Sequence, residues 1–220
     1  MSTPVEIYEK YKIPPWLQMH QLRVASVGKM LADRIVGTDV RTVLLTGFFH
    51  DMGNILKIDL APHGNLAMEV SEEERKHLRD TKEDFRRRYG SDEHEASIEI
   101  GKELGLPDIV LSMTDNMRFL RTEWVLNEAP IEMKIAKYAD LRVSPFGVVS
   151  MRDRFAEANA RYRGKEFDTR EPYDAALLQR IDDACVKLER RVCAAAHMTP
   201  EEINDASVAP IIEELKMYSV

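Results

Sequence analysis

Histidine and aspartate fall in three places where an apolar helix would bury them: His20, the adjacent pair His50-Asp51, and Asp140. The pair is the most informative. It closes the run Val43-Leu44-Leu45-Thr46-Gly47-Phe48-Phe49, and desolvating two neighbouring ionisable groups without a partner costs several kcal/mol. A divalent cation is one such partner. Adjacent side chains on a helix point about 100° apart, so the two can grip an ion at the helix C-terminus from two sides. The ion would also relieve the repulsion between the Asp51 carboxylate and the negative end of the helix dipole. His20 lies on the core face marked by Val24, Val27 and Leu31, where a lone histidine is more often a satisfied core residue than a ligand. Asp140 ends the apolar stretch Ile131 to Ala139 and, by itself, reads as a residue turning the chain toward Pro145.

In chain order the four residues read His, His-Asp, Asp, which resembles the HD superfamily of metal-dependent phosphohydrolases. His20-Gln21-Leu22-Arg23-Val24-Ala25 is similar to that family's first helix. Gly47-Phe48-Phe49-His50-Asp51-Met52-Gly53 resembles its signature, and Tyr138-Ala139-Asp140 its last ligand. The resemblance covers residues 16–163, and the tail from about 170 has no counterpart in the motif. It implies an all-helical bundle holding one divalent metal ion through His20, His50, Asp51 and Asp140. Such donors suit Mn, Mg, Co, Ni, Zn or Fe. The implied activity is hydrolysis of a phosphate ester or anhydride, with Asp51 as the catalytic carboxylate orienting water. The implied substrate is a nucleotide or another small phosphorylated metabolite.

Charge developing on phosphoryl oxygens calls for cationic donors, and Arg23, Lys57 and Arg142 flank the ligand clusters. His94 reads equally as a substrate-contacting group and as an ordinary helix-start residue after Ser91. The family often has Lys directly after the signature Gly, where this chain has Asn54, with Lys57 one turn later. Dinuclear members add two histidines before the last Asp; here His94 alone is suitably placed, which favours one metal. His94-Glu95-Ala96-Ser97-Ile98 is not a zinc-protease motif, because its fifth residue is Ile. Two other readings belong to the same fold: a non-hydrolytic iron oxygenase, and a catalytically silent nucleotide-binding signalling module. The intact ligand set disfavours the silent module.

The elements that must position these residues read almost wholly as helix. An apolar stripe at three- and four-residue spacing runs from Pro15 to Ile35. Gly37 stops it, and Thr38 or Asp39 caps a central helix from Val40 to about Asp51. Residues 58–70, with Pro62, Gly64 and Asn65, read as an irregular connection. Ser71 opens a charged helix to Tyr89 through a capping box, with Glu72–Lys76, Glu83–Arg87 and Asp84–Arg88 as favourable pairs. It is expected to be a solvated excursion, and Arg86-Arg87-Arg88 a solvated face. Further helices follow from Asp92 to Leu104, after Pro107, after Pro130, from Ser150 and over 173–196, with a short final segment from Thr199. Pro145 and Gly147 form a turn. Two regions are expected, 1–165 as the metal-binding bundle and 166–220 as C-terminal helices that dock on it or pair with a second copy as a homodimer.

The chain has 220 residues, 44% hydrophobic and 31% charged, the profile of a globular fold rather than a disordered one. Its 31 basic and 38 acidic side chains give a net charge of −7, which argues against duplex nucleic acid as a partner. No apolar run approaches the roughly 18 residues of a membrane span, and Met1 to Pro14 has no signal-peptide core. Cys185 and Cys193, about 12 Å apart on one helix, lie beyond the roughly 7 Å bridging limit. They are read as free thiols in a reducing cytoplasm. His63 and His197 receive no role, and Trp16 and Trp124 read as packing residues.

Overall fold

The computed structural model describes residues 2–61, 69–162 and 175–220. Among them are α1 (Pro4–Lys10), α2 (Pro15–Ala32), α3 (Val40–Phe49), α4 (Glu72–Tyr89), α5 (Glu93–Glu103) and α6 (Asp108–Asp115). The chain continues through α7 (Thr122–Glu128), α8 (Ile131–Leu141), α9 (Met151–Tyr162), α10 (Ala175–Ala195) and α11 (Asp205–Lys216). A two-strand antiparallel hairpin, β1 (Val143–Ser144) and β2 (Gly147–Val148), follows α8, and the turn expected at Pro145 and Gly147 is its tip. The protein is all-α, as its periodicity predicts. The connection at Pro62, Gly64 and Asn65, with His63, and the boundary expected near 165 lie outside the described residues.

Helix α2 is the hub, packing on α3, α8 and α11. Its crossing with α3 is set by missing side chains. A Cβ added to Gly47 would lie 2.7 Å from the Ala25 Cα, and one added to Gly28 would lie 2.8 Å from Val43 Cγ1. Small residues thus let two backbones approach at the level where His20 and His50 must meet. Asp39 caps α3 by accepting from the Thr42 N–H, as expected of a helix entry here.

A third close approach follows His50-Asp51. A Cβ on Gly53 would overlap the Glu93 carbonyl oxygen and sit 2.7 Å from Ala96 Cβ. The Gly53 N–H donates to Ser97 Oγ at 2.9 Å. The start of α5 therefore rides directly on the turn after the pair.

The charged helix α4 is solvated over most of its surface, with Arg86, Arg87 and Arg88 exposed as expected, but it also carries a narrow buried stripe. Leu78, Thr81 and Phe85 are buried. Its cations hold the strand of chain beneath it, Lys82 donating to the Ile58 carbonyl and Arg75 to the Leu60 carbonyl. The expected pairs also rearrange. Asp84–Arg88 forms at 3.8 Å, but Glu72 reaches Arg75 and Arg79, and Glu83 takes Arg86. Helices α1 and α7 were not expected from the sequence; Thr3 and Glu6 form a capping box at the start of α1.

Helix α10 lies against α7 and α8, and α11 against α2. The apolar stripe of α10 (Ile181, Cys185, Leu188, Val192) is buried within the chain, and both cysteines are free and buried. Burial pushes the Cys185 thiol up to about 12, which makes it an inert core filler. No helix among the described residues is long and apolar enough to cross a membrane.

Candidate metal centre

Three helices deliver the ligand candidates. His20 points from the second turn of α2, His50 is the C-cap of α3, and Asp140 sits in the last turn of α8. One donor atom from each lies within 4.8 Å of the other two, a group that could hold a metal ion. His20 Nε2 is 3.3 Å from Asp140 Oδ1, and His50 Nε2 is 3.5 Å from the same oxygen. Asp51 faces both rings, its Oδ2 lying 3.6 Å from His20 Nε2 and 3.8 Å from His50 Nε2. The imidazole centroids are 5.6 Å apart.

His50 Nδ1 lies 3.1 Å from the Gly47 carbonyl oxygen. A proton on Nδ1 satisfies that contact and leaves the Nε2 lone pair facing the carboxylates, the tautomer a metal ligand requires. Both Nε2 atoms are buried without a hydrogen-bond partner. Two orphaned imidazole nitrogens facing two carboxylates are stabilised either by a proton or by a cation between them. The fit to a divalent ion is therefore chemical as well as geometric, since a borderline metal takes mixed nitrogen and oxygen donors. Without the ion, protons take its place. Burial lowers the affinity of His50 for a proton, but the charges of Asp51 and Asp140 outweigh it and raise the imidazole to about 9. Burial likewise works to raise Asp140, and the two facing imidazoles overcome it, holding this carboxyl well below the usual range.

The substrate-binding candidates are arranged differently from one another. Lys57 and His94 meet at Glu93, whose Oε1 is 3.6 Å from Lys57 Nζ and 3.7 Å from His94 Nε2. Asp92 caps α5 by accepting from the His94 and Glu95 N–H groups, and faces Arg118 at 3.6 Å. Burial holds the His94 imidazole below its usual value against the pull of Glu93 and Asp51. Arg23 Nε faces Asp205 Oδ1 at 3.6 Å, at the seam of α2 and α11. Arg142 is 3% exposed. Its guanidinium donates to the Val149, Pro200 and Ile203 carbonyls and to the Tyr138 hydroxyl. Glu189 Oε2 is 3.6 Å away. The expectation of a phosphate contact gives way here to a clamp between α8, β2 and the segment before α11, because these donors are already engaged.

Two residues escaped the sequence reading. Lys137 is 1% exposed, one turn before Asp140 on α8. Gln21, beside His20, is fully buried with its Oε1 unpartnered. No clear signal marks Lys137 in the sequence: α8 also carries Glu132, Lys134 and Asp140, so one more charged residue on it does not stand out.

The HD-domain family model matches residues 18–142. That span begins just before His20 and ends just after Asp140, and the chain belongs to the HD-domain family. Among curated proteins, none matches the chain. Among solved structures, the chain is similar to the HD domain of the L. monocytogenes phosphodiesterase PgpH. Identity there is 18%, with 96% of this chain and 94% of that one covered, at a TM-score of 0.40.

Proposed function

We propose that this protein is a metal-dependent phosphohydrolase that cleaves a phosphate ester or anhydride of a nucleotide or other small phosphorylated metabolite. The observation that carries the reading is the pair of buried, unpartnered Nε2 atoms of His20 and His50 facing Asp140 and Asp51 within the family span. His20, His50 and Asp140 would hold one divalent ion, with Asp51 completing the set. When bound, such an ion supplies charge that polarises a phosphoryl oxygen and acidifies water.

The chain's own groups do the remaining work. Asn54 Nδ2 donates to Asp51 Oδ2 at 2.8 Å, which fixes the carboxylate so that it can orient a water and accept its proton. Lys57 and His94 supply donors beside Asp51 on one flank. Arg23 supplies a guanidinium from the turn of α2 that follows His20, where its Nε has no hydrogen bond. Burial of His50 and of the ends of α3 and α8 keeps the local dielectric low, which strengthens each charge on a phosphoryl group. Asp51 being the catalytic carboxylate, and Arg23, Lys57 and His94 touching substrate, are parts of this proposal.

The test is a release assay. Metal-stripped protein is reloaded in turn with Mn, Mg, Co, Ni, Zn or Fe and offered nucleotides and sugar phosphates. Phosphate release that follows the ion and vanishes in His50→Ala is expected. Arg23→Ala should raise KM while metal content stays unchanged. Stoichiometric metal with no hydrolysis of any phosphate compound would refute the reading, and oxygen consumption by an iron-loaded form would replace it with the oxygenase.

A further inference from the structure

Lys137 is the anomaly of the interior. Its Nζ donates to the Met117 carbonyl at 2.6 Å and to the Arg118 carbonyl at 3.1 Å, just beyond α6. These contacts give an ammonium dipoles but no counter-charge. Among the described residues no carboxylate forms an ion pair with it. Its electrostatic neighbours are Asp140, Asp51, the Cys185 thiol and Arg154. The thiol is neutral at ordinary pH and Arg154 repels, so the compensating charge comes from the two site carboxylates. Burial pulls the lysine below its usual value, and Asp140 and Asp51 act in the opposite sense. A charge buried this deeply persists only where opposite charge is near.

Asp51 and Asp140 are therefore shared between two cations, one built into α8 and one bound. We propose that Lys137 is a positioning residue of the metal centre: its buried ammonium is a resident counter-cation that weakens the hold of the site on a divalent ion. It leaves a net positive field facing an anionic phosphate. Two carboxylates, one divalent ion and one ammonium sum to a charge of +1, whereas the carboxylates and ion alone sum to zero. Residues three apart on a helix have Cβ atoms roughly 5–6 Å from each other. Lys137 and Asp140 therefore share one side of α8, and away from bulk water the ammonium and a dication held by Asp140 repel each other. This inference rests on the metal-centre reading and adds a residue that no ligand pattern contains.

The experiment is calorimetric titration of metal-free protein with Mn2+ alone at pH 7. Lys137→Gln keeps an N–H donor for the carbonyls and removes the charge; Lys137→Met removes both. The Kd for Mn2+ should tighten by at least about tenfold in Lys137→Gln, about 1.4 kcal/mol, and Lys137→Met should move the same way. A lysine serving only to tie α6 to α8 would give unchanged or weaker binding in Lys137→Gln, and that result overturns the proposal. Should Lys137→Met fail to fold, Lys137→Gln decides alone. Wild-type protein that binds no divalent ion would overturn the metal centre itself, a result distinct from equal affinities in wild type and variant.

Discussion

Replacing Gly53 by alanine should loosen α5 from the turn after His50-Asp51 while leaving the ligands in place. The added Cβ would overlap the Glu93 carbonyl oxygen, a backbone atom that cannot rotate aside. Overpacking of this kind costs about 1–3 kcal/mol. Displacing α5 also weakens the Gly53 N–H to Ser97 Oγ bond, worth about 0.5–1.5 kcal/mol. Against this stands a gain of about 0.4–1 kcal/mol from the stiffer unfolded chain, realised in full because the φ of −85° at Gly53 suits alanine. The balance is a loss of about 2 kcal/mol, which in a chain of this size lowers Tm by roughly 4–8 °C. Thermal unfolding of the metal-free protein, followed by circular dichroism, measures it. Mn2+ affinity, titrated separately, should be unchanged, since none of His20, His50, Asp51 and Asp140 lies on α5. An unaltered Tm, or a fall in metal affinity as large as the fall in stability, would show that the close approach at Gly53 does not work as described.

Asp140→Asn should abolish retention of a divalent ion while the helical spectrum persists; metal analysis after gel filtration reads it, and full retention would remove Asp140 from the site. In metal-free protein the raised His50 contributes stability that is fully present below its unfolded value of 6.5 and is lost as pH rises through about 9. Tm of the stripped protein should therefore decline across that window, and a Tm flat in pH would contradict the charge account of the site. Arg142→Ala takes the guanidinium from Glu189 and from the Val149, Pro200 and Ile203 carbonyls, of which the Pro200 oxygen keeps the Ile203 N–H. It should destabilise by about 3–5 kcal/mol, seen as a lower urea midpoint, and a change under about 0.5 kcal/mol would mean the clamp carries no energy.

The candidate ligands were legible because ionisable residues at the ends of apolar helices are conspicuous wherever they occur, and three of them from distant segments do converge. Arg142 was misread because a basic residue next to a ligand looks the same in sequence whether it faces phosphate or interior. What decides is a set of carbonyls some sixty residues downstream, at Pro200 and Ile203. The packed side of the mostly exposed helix α4 was hidden for another reason. Its buried stripe is only Leu78, Thr81 and Phe85, too narrow to stand out among so many charges, and most of its grip on the turn below is made by Arg75 and Lys82 reaching backbone. Lys137 is not legible as buried, because α8 also carries Glu132, Lys134 and Asp140 and a lysine among them reads as surface; only the packing around α8 encloses it.

The convergence of α2, α3 and α8 on one small volume also bears on how the chain becomes native. His20 and Asp140 lie far apart in the chain, and contacts of such long sequence separation carry a large closure entropy and form slowly. A cation would then find no preformed grip in the denatured ensemble and would act on the folded end of the reaction. Saturating metal should slow unwinding far more than it hastens collapse, so the ion would serve as a kinetic lock on a finished bundle rather than as a seed for building one.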